Sequence, residues 1–166
     1  MEHSQLDYCN GVLAGITQQQ LSRLQSVLRA SARLVLHLPS RQSVSSLIQS
    51  TLHWLPYPQR ITYKLCTTVY KCQHDLSPRY LSTMCTRLSD VSSRASLRSA
   101  AQGQLLVPAT RTKTFGLRGF FYSAPAAWNQ LPATLKDPLI SLSVFKKGLN
   151  TFLFSKMTTS AFEIAH

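Results

Sequence analysis

The chain has 166 residues, enough for one domain with a real core and too few for two large ones. Eighteen Lys and Arg face six Asp and Glu, a formal charge of +12, yet charged residues make up only 14% of the chain. The low total excludes a charge-driven disordered chain, and the imbalance points either to a polyanionic partner or to a basic piece of a larger, more balanced protein.

In chain order, Ser4 is placed to cap a short helix through Leu13, ended by Gly15. Thr17 caps a longer helix over 18–37. Its inward positions are Leu21, Leu24, Val27, Leu28, Leu34, Val35 and Leu38, with Ala32 as a small filler and Pro39 as the stop. Residues 43–52 read as a short helix with Val44, Leu47 and Ile48 inward. The run His53-Trp54-Leu55-Pro56-Tyr57-Pro58 forbids a continuous helix and sets Pro58 in the first turn of the next one. That helix repeats Ile61, Leu65, Val69, Cys72 and Leu76, with Tyr63, Tyr70, Lys64 and Lys71 off the stripe. A turn at 75–78 precedes a short apolar face of Tyr80, Leu81 and Met84.

From 86 to 104 the chain is rich in Ser and Arg and reads as a link. Leu105-Leu106-Val107-Pro108 can form a short strand. Phe115, Phe120, Phe121 and Trp128 are expected to make a small core, Trp54 to plug the helical core, and Tyr57 and Tyr122 to be the more exposed rings. Leu131-Pro132 and Asp137-Pro138 are stops. Ser143 is the expected cap of a last helix with Phe145, Leu149, Phe152 and Leu153 on one face.

The sequence lacks the patterns that catalysis needs. Two-metal phosphoryl transfer requires clustered carboxylates, and the acids Glu2, Asp7, Asp75, Asp90, Asp137 and Glu163 are dispersed. No nucleophile elbow or Gly-rich phosphate loop occurs, and Gly116-Leu117-Arg118-Gly119 reads as a turn. Cys66-x5-Cys72 is not zinc spacing, so Cys66 and Cys72 are expected as buried free thiols in a reducing, intracellular setting. No metal, cofactor or small-molecule substrate is expected. No apolar run spans a membrane.

The basic residues carry the functional expectation. Eleven of them are Arg, suited to forked contacts with phosphate. Arg87, Arg94, Arg98, Arg111, Lys113 and Arg118 cluster along one stretch with the single acid Asp90. Arg29 and Arg33, beside Arg23, lie on the long helix, and Lys146 and Lys147 on the last. Such cations bind RNA or DNA backbone by Coulomb attraction and counterion release, largely without sequence preference. Each patch taken singly also fits a solvated face.

Four stretches share one resemblance. They are Leu6-Asp7-Tyr8-Cys9-Asn10 with Leu13-Ala14-Gly15; Leu24-Gln25-Ser26-Val27 with Ala32-Arg33-Leu34-Val35; and Leu52-His53-Trp54-Leu55-Pro56 with Arg60-Ile61, Lys64-Leu65 and Tyr70-Lys71-Cys72. The fourth is Thr114-Phe115-Gly116, Ala124-Pro125, Trp128-Asn129-Gln130-Leu131-Pro132 and Phe145-Lys146, closed by Leu149 and Leu153-Phe154. In order and spacing, over about residues 4–155, the chain resembles the C-terminal, post-palm region of the polymerase polyprotein of LINE-type (non-LTR, jockey/CR1/L2-like) retrotransposons. The resemblance implies that the palm, with its Asp-Asp loop, lies upstream. The chain would then be a thumb-like, post-polymerase segment, a truncated copy or fragment of an RNA-directed DNA polymerase.

The expected fold is mainly α: a thumb-like helical bundle over 4–85, a Ser/Arg-rich link over 86–104, an aromatic-rich unit with a short hairpin and closing helix over 105–157, and a frayed tail over 158–166. The two units can share one core. The expected function is non-catalytic RNA or DNA binding beside an upstream polymerase domain. The alternative is a structural remnant that once packed against that polymerase and has no function alone.

Overall fold

The computed structural model describes residues 13–39, 41–91, 93, 102–112 and 116–163, with side chains through Lys156. The expected helix before Leu13 lies outside the described residues. The fold is mainly α, with α1 (Gln18–Val35), α2 (Ser45–Ser50), α3 (Tyr57–Gln73), α4 (Arg79–Ser82), α5 (Phe120–Asn129) and α6 (Leu142–Glu163).

Thr17 caps α1 as expected. Its hydroxyl accepts from the Gln20 N–H at 3.4 Å, and the Gln20 side chain accepts from the Thr17 N–H at 3.4 Å, a reciprocal capping box. The stop comes earlier than Pro39. His37 adopts a left-handed φ of +51°, and the Leu38 N–H reaches back to the Arg33 carbonyl at 2.9 Å. This is a Schellman closure without glycine. Among the described residues, every non-Gly residue with positive φ (His37, His53 and Asp75) follows a helix end, and His and Asp are among the residues that tolerate this backbone best.

The inward face of α1 is narrower than the sequence suggests. Leu28 and Ala32 are buried, but Val27, Leu34 and Val35 are 49%, 77% and 55% exposed. Val27 and Leu34 stand about 100° or more around the helix from Leu28, and Val35 is the last residue of α1. Ala32, Val44 and Ile48 form a small second core, on which Trp54 rests half-buried. Trp54 therefore seals this satellite, not the main core.

α3 is the central helix, touching α1, α4, α5 and α6. Pro58 sits in its first turn as expected, and the Tyr57 N–H donates to Gln25 of α1 at 3.0 Å. Ile61, Leu65, Val69 and Cys72 are buried as the periodicity requires. Two neighbours differ. Tyr70 is buried because α6 covers it: its ring stacks on Phe145 at 4.6 Å and on His74 at 4.0 Å, and its hydroxyl donates to the Ile140 carbonyl. Leu76 is exposed because the chain reverses at Asp75. Tyr57, expected to be exposed, is one of the most deeply buried side chains. α4 is a single turn, too short to bury a face, so Leu81 packs inward while Tyr80 and Met84 are exposed.

The link is pinned at both ends. The Leu88 N–H donates to the Gln104 carbonyl at 3.0 Å and the Leu106 N–H to the Thr86 carbonyl at 2.8 Å. The hairpin expected within 105–157 is not found among the described residues; the antiparallel bridge, Arg87 opposite Leu105, closes the link instead. Its register points the N–H and C=O of Leu105 away from Arg87. Asn129 takes both: its Oδ1 accepts from the Leu105 N–H at 2.8 Å and its Nδ2 donates to the Leu105 carbonyl at 2.9 Å. One carboxamide thus replaces a third strand. The adjacent Trp128 donates from Nε1 to the Gly103 carbonyl at 3.0 Å.

The aromatic-rich stretch is helical. A 3₁₀ turn over Gly116–Arg118 leads into α5, whose Ala124, Pro125 and Trp128 are buried. Phe120 only partly enters the core and Phe121 is exposed, contrary to expectation, since both precede the buried face of α5; Tyr122 is half-buried. Phe115 lies outside the described residues. At the start of α6, Ser141 takes the capping role expected of Ser143: its carbonyl accepts from Phe145 at 2.9 Å and its hydroxyl from the Val144 N–H at 3.4 Å. α6 runs to Glu163, past the expected tail boundary at 158. One buried cluster joins the two sequence units, with Ile61, Leu65 and Tyr70 of α3 against Trp128 of α5 and Phe145, Leu149 and Leu153 of α6.

Candidate nucleic-acid interface

With so few acids, many cations bond main-chain carbonyls instead. Arg33 donates from Nε to the Gln42 carbonyl at 3.3 Å, Arg60 to Leu55 at 2.8 Å and Arg118 to Gly15 at 2.8 Å. Arg87 reaches the end of α3, donating from a terminal nitrogen to the Gln73 carbonyl at 3.1 Å and from Nε to the Gln73 side chain. Lys136 donates to the Asn129 carbonyl at the end of α5 at 3.2 Å, and burial lowers its pKa. Cations suit these positions, because the last carbonyls of a helix lack partners and carry its negative dipole end. Gly15 is required under Arg118: its φ is +68°, and an added Cβ would stand 2.9 Å from the Arg118 Cγ.

The expected phosphate-binding residues therefore divide. Arg33, Arg87 and Arg118 are clamps, of which Arg87 remains exposed and Arg33 and Arg118 are half-buried. Arg29, Arg111 and Lys147 are exposed, and Lys146 is half-buried. Arg94, Arg98 and Lys113 lie outside the described residues.

A basic row missed by the sequence reading runs along α3. Ile61, Leu65, Cys66, Val69, Tyr70 and Cys72 bury most of its circumference. The remaining outward strip holds Arg60, Lys64, Thr68 and Lys71, with Lys64 exposed and the others half-buried. At about 100° per residue the three cations fall within about 40° of one another, along about 16 Å of helix. Arg87, docked on Gln73, extends the row past the helix end. The signal was the same periodicity that located the core: cations at i, i+4 and i+11 mark the opposite face. Arg60 is also oriented by Trp54, with its guanidinium carbon 5.8 Å from the ring centroid.

A groove of about 330 Å³ between Leu13–Ile16, α3 and α5 is lined by Leu21, Ile61, Leu65, Tyr122 and Ser123 among others, without a carboxylate, imidazole or thiol. Among the described residues no group of three or more His, Cys, Asp or Glu is placed to hold a metal, and no helix is long and apolar enough to cross a membrane. Comparison with protein-family models, curated proteins and solved structures finds no match.

Proposed function

We propose that this chain grips the phosphate backbone of RNA or DNA without sequence preference and performs no chemistry itself. On this reading it is the thumb-like, post-palm part of a LINE-type reverse transcriptase, the catalytic aspartates belonging to the polymerase domain. The observation that carries the reading is the outward row of α3, whose cations are presented on a helix fixed by packing on its other faces. Fixed cations suit a regular line of phosphates, and the partial clamping of Arg87 leaves its second terminal nitrogen for a ligand.

The test is fluorescence anisotropy of the purified chain with single- and double-stranded oligonucleotides across a salt series. Affinity should fall linearly with salt on a log–log scale. Lys64→Ala and Lys71→Ala should each flatten the slope by up to about one contact, about 0.7–0.9. The set Arg94, Arg98, Arg111 and Lys113 changed to Ala should flatten it further. Absence of binding at low salt, or a slope indifferent to both sets, overturns the proposal.

A second reading has its own support. Val27, Leu34 and Val35 leave apolar area exposed on α1, as a face once covered by a polymerase core would. In that case the chain self-associates with rising concentration, Leu34→Gln reduces the association, and oligonucleotides have no effect on it.

A further inference from the structure

α3 carries two buried cysteines in opposite settings. Cys66 is fully enclosed, and burial pushes its thiol up to about 12. Cys72 is 5% exposed and is surrounded by donors. The Ser77 hydroxyl donates to its sulfur at 3.2 Å and accepts in turn from the Ser82 hydroxyl at 3.1 Å, and the Cys85 thiol also bonds the Cys72 sulfur. Cys85, 4% exposed, is held in place from both sides. Its carbonyl accepts from the Gln73 Nε2 at 2.7 Å and its N–H donates to the Ser82 carbonyl at 3.0 Å. Both cysteines are free.

An apolar core has no use for two donors aimed at one sulfur. They stabilise a thiolate, the form that reacts with oxidants. The bond from Cys85, then that from Ser77 with Ser82 behind it, holds the Cys72 thiol below its ordinary value against the opposing effect of burial, while donation to Cys72 and burial raise Cys85. The pair thus divides into an attacking sulfur and a proton-holding one. The slight exposure of both selects a small oxidant over a bulky disulfide.

We propose that Cys72 and Cys85 form a reversible disulfide on exposure to a small hydroperoxide, Cys72 reacting first and Cys85 resolving. The Cys72 thiolate attacks the terminal peroxide oxygen and the O–O bond breaks. The sulfur becomes a sulfenic acid, and the departing alkoxide or hydroxide takes from solvent the proton that the Cys72 thiol released on ionising. The Cys85 sulfur then attacks the Cys72 sulfur, the S–O bond breaks, and hydroxide leaves with the Cys85 proton as water. In sum, two thiols and one hydroperoxide give one disulfide, one alcohol (water, from hydrogen peroxide) and one water. The new bond ties the end of α3 to the segment that leads directly into Arg87 and the Leu105 bridge, beside the end of the basic row.

The test treats the full chain with hydrogen peroxide, alkylates the remaining thiols and maps peptides without reduction. The expected result is one intramolecular Cys72–Cys85 link, a fall from four alkylatable cysteines to two, and full reversal by dithiothreitol. In Cys85→Ser, checked for helix content by circular dichroism, a dimedone adduct should accumulate at Cys72 and not at Cys66. Where that variant fails to fold, the wild-type map decides alone. A link through another pair, or oxidation of Cys72 to sulfinic acid without any link to Cys85, overturns the proposal.

Discussion

Changing Asn129 to Asp tests the strand-mimicking carboxamide with a nearly isosteric perturbation. The carboxylate keeps an acceptor for the Leu105 N–H, which Asn129 now meets at 2.8 Å, but has no donor for the Leu105 carbonyl, now bonded at 2.9 Å. Leu105 is 1% exposed, so water does not readily replace the donor. A buried acceptor left without a partner costs about 1–3 kcal/mol, and the facing carboxylate adds repulsion. Asn129 itself is half-buried, which softens that repulsion, so the expected loss near neutral pH is about 2–3 kcal/mol. The sign with pH follows. Protonated Asp is a donor again, so folding favours the neutral form and raises the folded pKa of the new carboxyl. Its contribution is present below the unfolded value of about 3.9 and lost as pH rises through the folded one. The gap to wild type should therefore shrink in acid. Urea unfolding followed by far-ultraviolet circular dichroism, at neutral and acidic pH, measures it. A variant within about 0.5 kcal/mol of wild type at neutral pH, or a gap that does not narrow in acid, refutes the idea that Asn129 holds the bridge.

Cys66 provides an alkaline check. Burial raises its thiol from 9.0 to about 12, so the stability it contributes is intact below the unfolded value and is lost as pH rises across that window, at about 1.4 kcal/mol per pH unit; denaturant midpoints of Cys66→Ala should fall less steeply there than those of wild type. Gly15→Ala forces a side chain into a left-handed backbone and against Arg118, and should lower stability by about 1–2 kcal/mol, whereas Arg118→Ala alone should remove about 1 kcal/mol or more in the same assay. Thr17→Ala removes the capping box and should lower the thermal midpoint, equivalent to about 1 kcal/mol. A midpoint unchanged from wild type would mean that α1 is held by packing alone.

What was legible in the sequence was whatever depends on local pattern. Thr17 announced the start of α1, Pro58 the start of α3, and Ile61, Leu65, Val69 and Cys72 its inner face. What was not legible depended on how many neighbours each helix acquires. α3 is enclosed on most sides, so Tyr70, off the expected stripe, is buried by α6. α1 has few neighbours, so Leu34 and Val35 are left outside. α5 was hidden by its composition, since the aromatics and Pro125 obscured its helical period. At the candidate site, the periodicity located the core of α3 and set Lys64 and Lys71 off it, but did not join them with Arg60 as one basic row. Nor could spacing tell a clamp from a contact: Arg33 and Arg118 look like surface cations until the carbonyls of Gln42 and Gly15 are found beneath them.

Those carbonyl clamps separate two responses to salt. An attraction between a guanidinium and an exposed polyanion is screened and displaced by counterions. A short bond from Arg118 to the Gly15 carbonyl, or from Arg87 to Gln73, is a contact between an ion and a neutral dipole, with no opposite net charge for mobile ions to replace. On the proposed function, rising ionic strength would release a bound strand while these tertiary links stay closed. A chain rich in one sign of charge thus ties parts of its own architecture with contacts that do not depend on an opposite charge, and the proposed grip would answer to salt where these ties do not.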